Sequence, residues 1–127
     1  MVGAALLRDG CVLASRRTEP PRLAGLWEFP GGKVEPGEGE EEALARECRE
    51  ELAVEVAVGV RLGSDVHLSG ARGEWVLKVW TARITSGEVR LVDHSDARWL
   101  SASELDTVPW IEADAPLVET LRALLTG

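Results

Sequence analysis

Glu47, Glu50 and Glu51 stand three and four residues apart, in a segment whose composition favours a helix. On a helix that spacing brings all three carboxylates to one side, with Cβ atoms about 5–6 Å apart. Like charges held this way repel and cost stability, so the cluster needs a counter-charge. A hard divalent cation with oxygen ligands is the natural one. Gly31-Gly32 lies ahead of the helix, and glycine lets the backbone approach a bound group closely. Glu40, Glu41 and Glu42 read differently, as a solvated first turn that the helix dipole favours.

The elements that would position these groups follow from pattern. Val2 to Leu7 and Val12 to Ser15 are apolar runs around Asp9-Gly10, a hairpin signal. Thr18 to Leu23, with Pro20-Pro21, is a loop. Glu40 to Leu52 is a helix with Leu44, Cys48 and Leu52 on its apolar stripe. Val54, Val56, Val58 and Val60 alternate with Glu55, Ala57, Gly59 and Arg61, which predicts a half-buried strand. Glu74 to Ile84 carries apolar residues on both faces and predicts a strand covered on both sides. Glu88 to Val92 and Ala97 to Leu100 are shorter strand candidates. Ser101 and Glu104 suit a capping box. Asp114 and Pro116 open a last helix whose expected stripe is Leu117, Leu121, Leu124 and Leu125. Strands on either side of an acidic helix, closed by a C-terminal helix, predict an α/β sandwich with a mixed sheet.

Composition narrows the partners. A length of 127 residues fits one domain, residues 1–127, with a proper core. A net charge of −8 argues against duplex nucleic acid as a ligand, because non-specific binding to DNA needs surplus cations. Cys11 and Cys48 occur in different contexts and read as small buried residues in a reducing compartment. No apolar run approaches the ~18 residues of a membrane span, and no secretory signal pattern opens the chain. The expectation is a cytoplasmic protein without a membrane partner, monomeric or homodimeric.

Gly32, Glu38, Arg46-Glu47 and Glu50-Glu51, closed by the aliphatic Val54, follow the spacing of the Nudix box. The chain therefore resembles the Nudix hydrolases, which cleave nucleoside diphosphates linked to another group. Leu26-Trp27-Glu28-Phe29-Pro30-Gly31-Gly32-Lys33-Val34-Glu35 looks like the MutT branch, which includes nucleotide-pool-cleaning and CTP-type pyrophosphohydrolases. The resemblance implies an α/β/α sandwich with a central mixed sheet, a catalytic loop and helix, and a C-terminal helix. It implies that Glu47, Glu50 and Glu51, with the Gly31 carbonyl, hold Mg²⁺, or Mn²⁺ in its place. Asp93, outside the box, would join the metals or act as base. Glu50 and Glu51 are equal candidates for base. Gly32, Glu38 and Arg46 would support the site, with Glu38 and Arg46 paired to brace the loop on the helix. Arg17 would point to the substrate phosphates or the base, and Lys33 is a candidate to face a phosphate.

Two positions depart from the family pattern. Ala53 replaces a glycine at the end of the helix, and a slightly different exit turn is expected there. Gly39 replaces Ser or Thr at its start, which weakens the cap by a few tenths of a kcal/mol.

Asp114 carries the choice of base. An ionised carboxylate only accepts hydrogen bonds, which suits the exocyclic amine of cytosine. The N7–H of 8-oxoguanine is also a donor to a carboxylate. The plain reading of Asp114 is a helix N-cap, and the two roles are compatible. Trp27 and Trp110 are candidates to stack on a base, although five tryptophans in one chain are mostly core. His94 reads as structural or as a hydrogen-bond partner of the site. A small nucleotide is the expected partner: (d)CTP or 5-methyl-dCTP first, 8-oxo-dGTP as the alternative. An ADP-ribose type of substrate and a non-catalytic nucleotide-binding module come last, because all the box carboxylates are present. Asp114→Asn is expected to shift preference away from cytosine nucleotides; kcat/KM measured on a nucleotide panel for both proteins checks this, and unchanged ratios would refute it.

Overall fold

The structure is a computed structural model that describes residues 1–70, 73–92 and 94–126. Among these residues eight strands belong to one mixed sheet. β1 (Val2–Arg8) and β2 (Cys11–Arg17) form the expected hairpin. Asp9 and Gly10 both take positive φ, 52° and 76°, as a tight two-residue hairpin turn requires. β3 (Trp27–Glu28) and β4 (Gly31–Gly32) are two-residue strands that pair with β2 and β1. α1 (Glu40–Leu52) follows, then β5 (Glu55–Arg61), β6 (Val66–Gly70), β7 (Gly73–Ser86) and β8 (His94–Leu100). A 3₁₀ helix (Ala102–Thr107) and α2 (Ala115–Thr126) complete the chain order. The path through the sheet is β3-β2-β1-β7-β5, and β1 with β7 is a parallel pair.

The alternation of β1, β2 and β7 splits the core in two. Val2, Ala4, Leu6, Leu13, Trp80 and Ala82 pack on Ala43, Leu44, Cys48 and Leu52 of α1. Ala5, Val12, Ala14, Leu77 and Val79 pack on Leu105 of the 3₁₀ helix and Leu117, Val118 and Leu121 of α2. The molecule is thus an α/β/α sandwich, and β7 is covered on both sides as its sequence requires.

Several expectations are corrected. Glu88 to Val92 is not a strand. Arg90 and Val92 donate their N–H groups to the carbonyls of Leu52 and Glu51, so this segment caps α1 rather than joining the sheet. The alternation of β5 fails at Val60, which is 70% exposed, because the register with β7 shifts between Val58 and Arg61. Leu124 is exposed and Val118 takes its place, because the buried stripe of α2 runs through 117, 118 and 121. Cys11 is half-buried, and only Cys48 of the two is fully enclosed. β3 and β4 are too short to be seen in the sequence, and β6 shows only a brief alternation, Val66 and Leu68, that went unread.

Ala53 keeps the left-handed conformation of a helix C-cap, φ 60° and ψ 34°, and its N–H returns to the Arg49 carbonyl. No rerouted exit turn relieves it. A Cβ in that region costs about 1–2 kcal/mol, partly offset in the unfolded chain because glycine loses more freedom on folding. Ala53 is exposed, so no packing is lost on truncation. Ala53→Gly is therefore expected to stabilise the protein by about 0.5–1 kcal/mol in urea unfolding.

Candidate active site

The loop between β4 and α1 is fixed by one guanidinium. Arg46 donates from Nε to Glu38 Oε2 at 2.7 Å and from Nη2 to Glu38 Oε1 at 3.0 Å. Nη2 also reaches the Lys33 carbonyl at 3.0 Å, and Nη1 meets Glu47 Oε1 and Glu50 Oε2, each at 3.1 Å. This bond to Arg46, followed by the Glu35 N–H, holds the Glu38 carboxyl below its ordinary range. The glycines set the fit of the loop. A Cβ on Gly31 would overlap the Val2 carbonyl, and one on Gly32 would overlap the Glu47 carboxylate.

Glu47 and Glu51 line a cavity of about 410 Å³ with Arg17, Glu28, Gly31, Gly32, Lys33 and His94. Glu50 is on the same helix but outside this cavity; its side chain is 58% exposed and leans on Arg46. Asp93 lies outside the described residues. The Glu51 carboxyl is pushed up to about 9. Burial is the main cause, followed by the neighbouring carboxyls of Glu47 and Glu28, and the Gly31 N–H opposes them. Its Oε2 is buried and has no hydrogen-bond partner among the described residues.

Glu28 is the residue that the sequence left without a role here, and His94 is its hydrogen-bond partner in the site, one of the two readings open for it. Glu28 takes Arg17 Nη1 on both oxygens, at 2.9 and 3.0 Å, and lies 3.0 Å from His94 Nε2. Arg17 also donates from Nε to the Glu19 carbonyl at 3.0 Å. A signal for Glu28 was present: Trp27 and Phe29 are both core residues, so the residue between them faces away, into the site.

A second cavity, about 510 Å³, adjoins the first and shares Met1, Arg17, Glu28 and Gly31 with it. Its wall is largely apolar, from Leu23, Leu26, Phe29, Leu68, Trp75, Leu77 and Ile111, with Asp114 among them. Asp114 is 5% exposed, and its Oδ2 accepts the Phe29 N–H at 2.9 Å. Burial pushes its carboxyl up to about 7, against the pull of the Phe29 N–H. Asp114 also immediately precedes α2, where its carbonyl accepts the N–H groups of Leu117 and Val118. Trp27 is core and Trp110 spends its indole N–H on the Leu105 carbonyl, whereas Trp75 lines the cavity and is 40% exposed.

The family model for the NUDIX domain matches residues 1–121. This chain belongs to the Nudix family. Nudix hydrolases generally use divalent metal ions. The chain is 43% identical over 130 residues to the putative 8-oxo-dGTP diphosphatase 2 of Mycobacterium tuberculosis (strain ATCC 25618 / H37Rv), covering 100% of this chain and 90% of that protein. It is 39% identical to the CTP pyrophosphohydrolase of Escherichia coli (strain K12), covering 98% and 91%. The crystal structure of a MutT NUDIX hydrolase from Burkholderia pseudomallei superposes with a TM-score of 0.82 at 35% identity, over 94% of each chain. As a Nudix hydrolase of the MutT branch the chain is an enzyme, and no helix among its described residues is long and apolar enough to cross a membrane.

The donor set suits such an ion: carboxylates, a nearby glycine carbonyl and an unpartnered buried carboxylate oxygen are hard oxygen ligands. Among the described residues no three His, Cys, Asp or Glu side chains converge on a ready-made cation position. Arg46 Nη1 instead draws Glu47 and Glu50 to itself.

The raised carboxyls give a pH signature for the metal-free Nudix protein. Both folded pKa values lie above the unfolded ones, 4.5 for Glu51 and 3.8 for Asp114. The associated stability is therefore complete below the unfolded value and lost as pH rises through the folded one. With a chelator present, Asp114→Asn should gain urea stability relative to the parent between about pH 4 and 7 and level off above. Glu51→Gln should go on gaining to about pH 9. Parallel profiles for all three proteins would contradict this.

Proposed function

We propose that this chain is a Mg²⁺-dependent nucleoside triphosphate pyrophosphohydrolase that converts a (d)NTP to (d)NMP and pyrophosphate in nucleotide-pool sanitation, with cytosine nucleotides preferred. The observation that carries the reading is the pair of joined cavities, one lined by carboxylates and one apolar with a buried carboxylate in its wall. Their dimensions and chemistry suit a triphosphate at the first and a base at the second.

Glu47, Glu50 and Glu51, the Gly31 carbonyl and Asp93 would hold Mg²⁺ or Mn²⁺. When bound, the ion polarises phosphate oxygens and makes water a better nucleophile. Arg17 and Lys33 lie at the cavity wall as counter-charges for the phosphates, although Arg17 is also engaged by Glu28. Asp114 accepts from the exocyclic amine of the base when ionised. Glu50 and Glu51 remain the candidates for base.

A specific observation favours 8-oxo-dGTP as the second reading. With its carboxyl raised to about 7, Asp114 is partly protonated near neutrality and can donate as well as accept, which a purine edge can use. The name of the Mycobacterium tuberculosis relative points the same way. A panel of CTP, dCTP, 5-methyl-dCTP, 8-oxo-dGTP and ADP-ribose with Mg²⁺ separates these readings. Turnover of ADP-ribose alone would overturn the triphosphate assignment. Glu51→Gln is expected to lower kcat by on the order of 10²–10⁴ while far-UV circular dichroism stays unchanged; undiminished release of pyrophosphate would refute its place in the site.

A further inference from the structure

Four of the five tryptophans are engaged by the protein itself. Trp27 and Trp80 are buried, at 3% and 5% exposure. The Arg8 guanidinium lies 4.2 Å from the ring centroid of Trp99, and Trp110 gives its indole N–H to the Leu105 carbonyl. Trp75 differs. It is 40% exposed and has no hydrogen bond, ring contact or cation among the described residues. Side chains alternate along β7, so Trp75 shares a face with the core residues Leu77 and Val79. Leu68 of β6 stands directly opposite it in the register and packs against the same core. Trp75 therefore marks the place where the core ends and the apolar cavity of about 510 Å³ begins. Gly3 lines that cavity beside Leu77 and Val79 and brings no side chain into it. A contiguous apolar wall left in water is the mark of a surface that a ligand covers. This cavity shares Met1, Arg17, Glu28 and Gly31 with the carboxylate-lined one, so its occupant is the far end of a ligand whose anionic part lies there. An open indole face suits a planar heteroaromatic ring.

We propose that Trp75 is the stacking platform for the base of the bound nucleotide, and that it sets affinity for bases in general rather than the choice among them. The inference rests on the reading of the joined cavities as a nucleotide site. Every base has a π-face, so stacking on an indole accepts pyrimidines and purines alike. Stacking fixes the plane of the ring. It leaves the edge, where bases differ in donors and acceptors, to polar groups of the wall such as Asp114. Tolerance and discrimination then sit on different elements, the β6–β7 hairpin and the turn before α2. Trp27 and Trp110, the two stacking candidates in the sequence, are held by the core and by the Leu105 carbonyl, and the cavity wall is formed without them.

Calorimetry with chelator present, using dCMP and 8-oxo-dGMP as probes, reads the base end without chemistry. Trp75→Leu keeps an apolar side chain but no π-face, and should weaken both ligands roughly 5–100-fold. Trp75→Phe keeps a ring and should stay within about fivefold of the parent. Inorganic tripolyphosphate has no base, and its binding with Mn²⁺ should stay within about threefold in both variants. The H5 and H6 resonances of dCMP should move upfield on binding to the unmodified protein and not on binding to Trp75→Leu. In turnover, KM of Trp75→Leu should rise by a similar factor for every nucleotide the parent hydrolyses, with kcat within about threefold. Unchanged affinity in Trp75→Leu, an equal loss in both variants, or no upfield shift would overturn the platform. Loss of tripolyphosphate binding in step with the monophosphates would make Trp75 a structural residue and overturn it too. A loss confined to one base overturns its tolerance. If the unmodified protein binds neither monophosphate and hydrolyses no nucleotide of the panel, the nucleotide reading itself fails; equal binding by the parent and Trp75→Leu removes Trp75 alone.

Discussion

The guanidinium of Arg46 holds the acidic side of the site in place. Its planar set of donors engages Glu38 on both oxygens, the Lys33 carbonyl, and one oxygen each of Glu47 and Glu50. A lysine has one point of charge and could not span these directions. The same group does two jobs. It fastens the glycine loop onto α1, and it gives three carboxylates a cation in a chain whose net charge is −8. The close approach of Gly32 to Glu47 is only stable because that loop cannot drift.

Glu28 is the second joint, and it follows from the short strand β3. Trp27 and Phe29 are drawn into the core, so Glu28 faces the cavity, where it ties Arg17 to His94. The backbone just after it supplies the Phe29 N–H that Asp114 accepts. Three consecutive residues thus anchor the core, join the two cavities and position the buried carboxylate of the apolar one. Burial raises the Glu51 and Asp114 carboxyls of this groove, and neighbouring carboxyls add to it.

The sequence was most legible where pattern was periodic or spacing was strict. The hairpin at Asp9-Gly10, the extent of α1 and the two-sided burial of β7 all followed from alternation or helical period. The box residues pointed to the family that the domain match bears out. What failed had a physical reason in tertiary structure. Val60 turned outward at a register shift, and Glu88 to Val92 gave its N–H groups to the end of α1. Ala53 kept a conformation that its own propensity disfavours, because the helix end and its capping segment hold it there. His94 left two readings open, structural or bonded to the site, since a lone histidine acquires meaning only from what faces it. Trp75 could not be distinguished from the core tryptophans because cavity and core are lined by the same residue types.

The two ends of the groove differ in how far apart in the chain their parts lie. Glu28, the glycines, Arg46 and Glu51 fall within one continuous stretch, while Phe29 and Asp114 are separated by 85 positions. Closing a long loop costs more entropy than closing a short one, and contacts of high sequence separation form slowly. Apart from Arg17 and His94, the acidic end is therefore a local structure that neighbouring residues can assemble, whereas the seat of Asp114 exists only once α2 has docked. Loosening of the C-terminal helix would unseat Asp114 and open the apolar cavity before it disturbed the carboxylates, so the shape of that cavity is tied to the integrity of the last element.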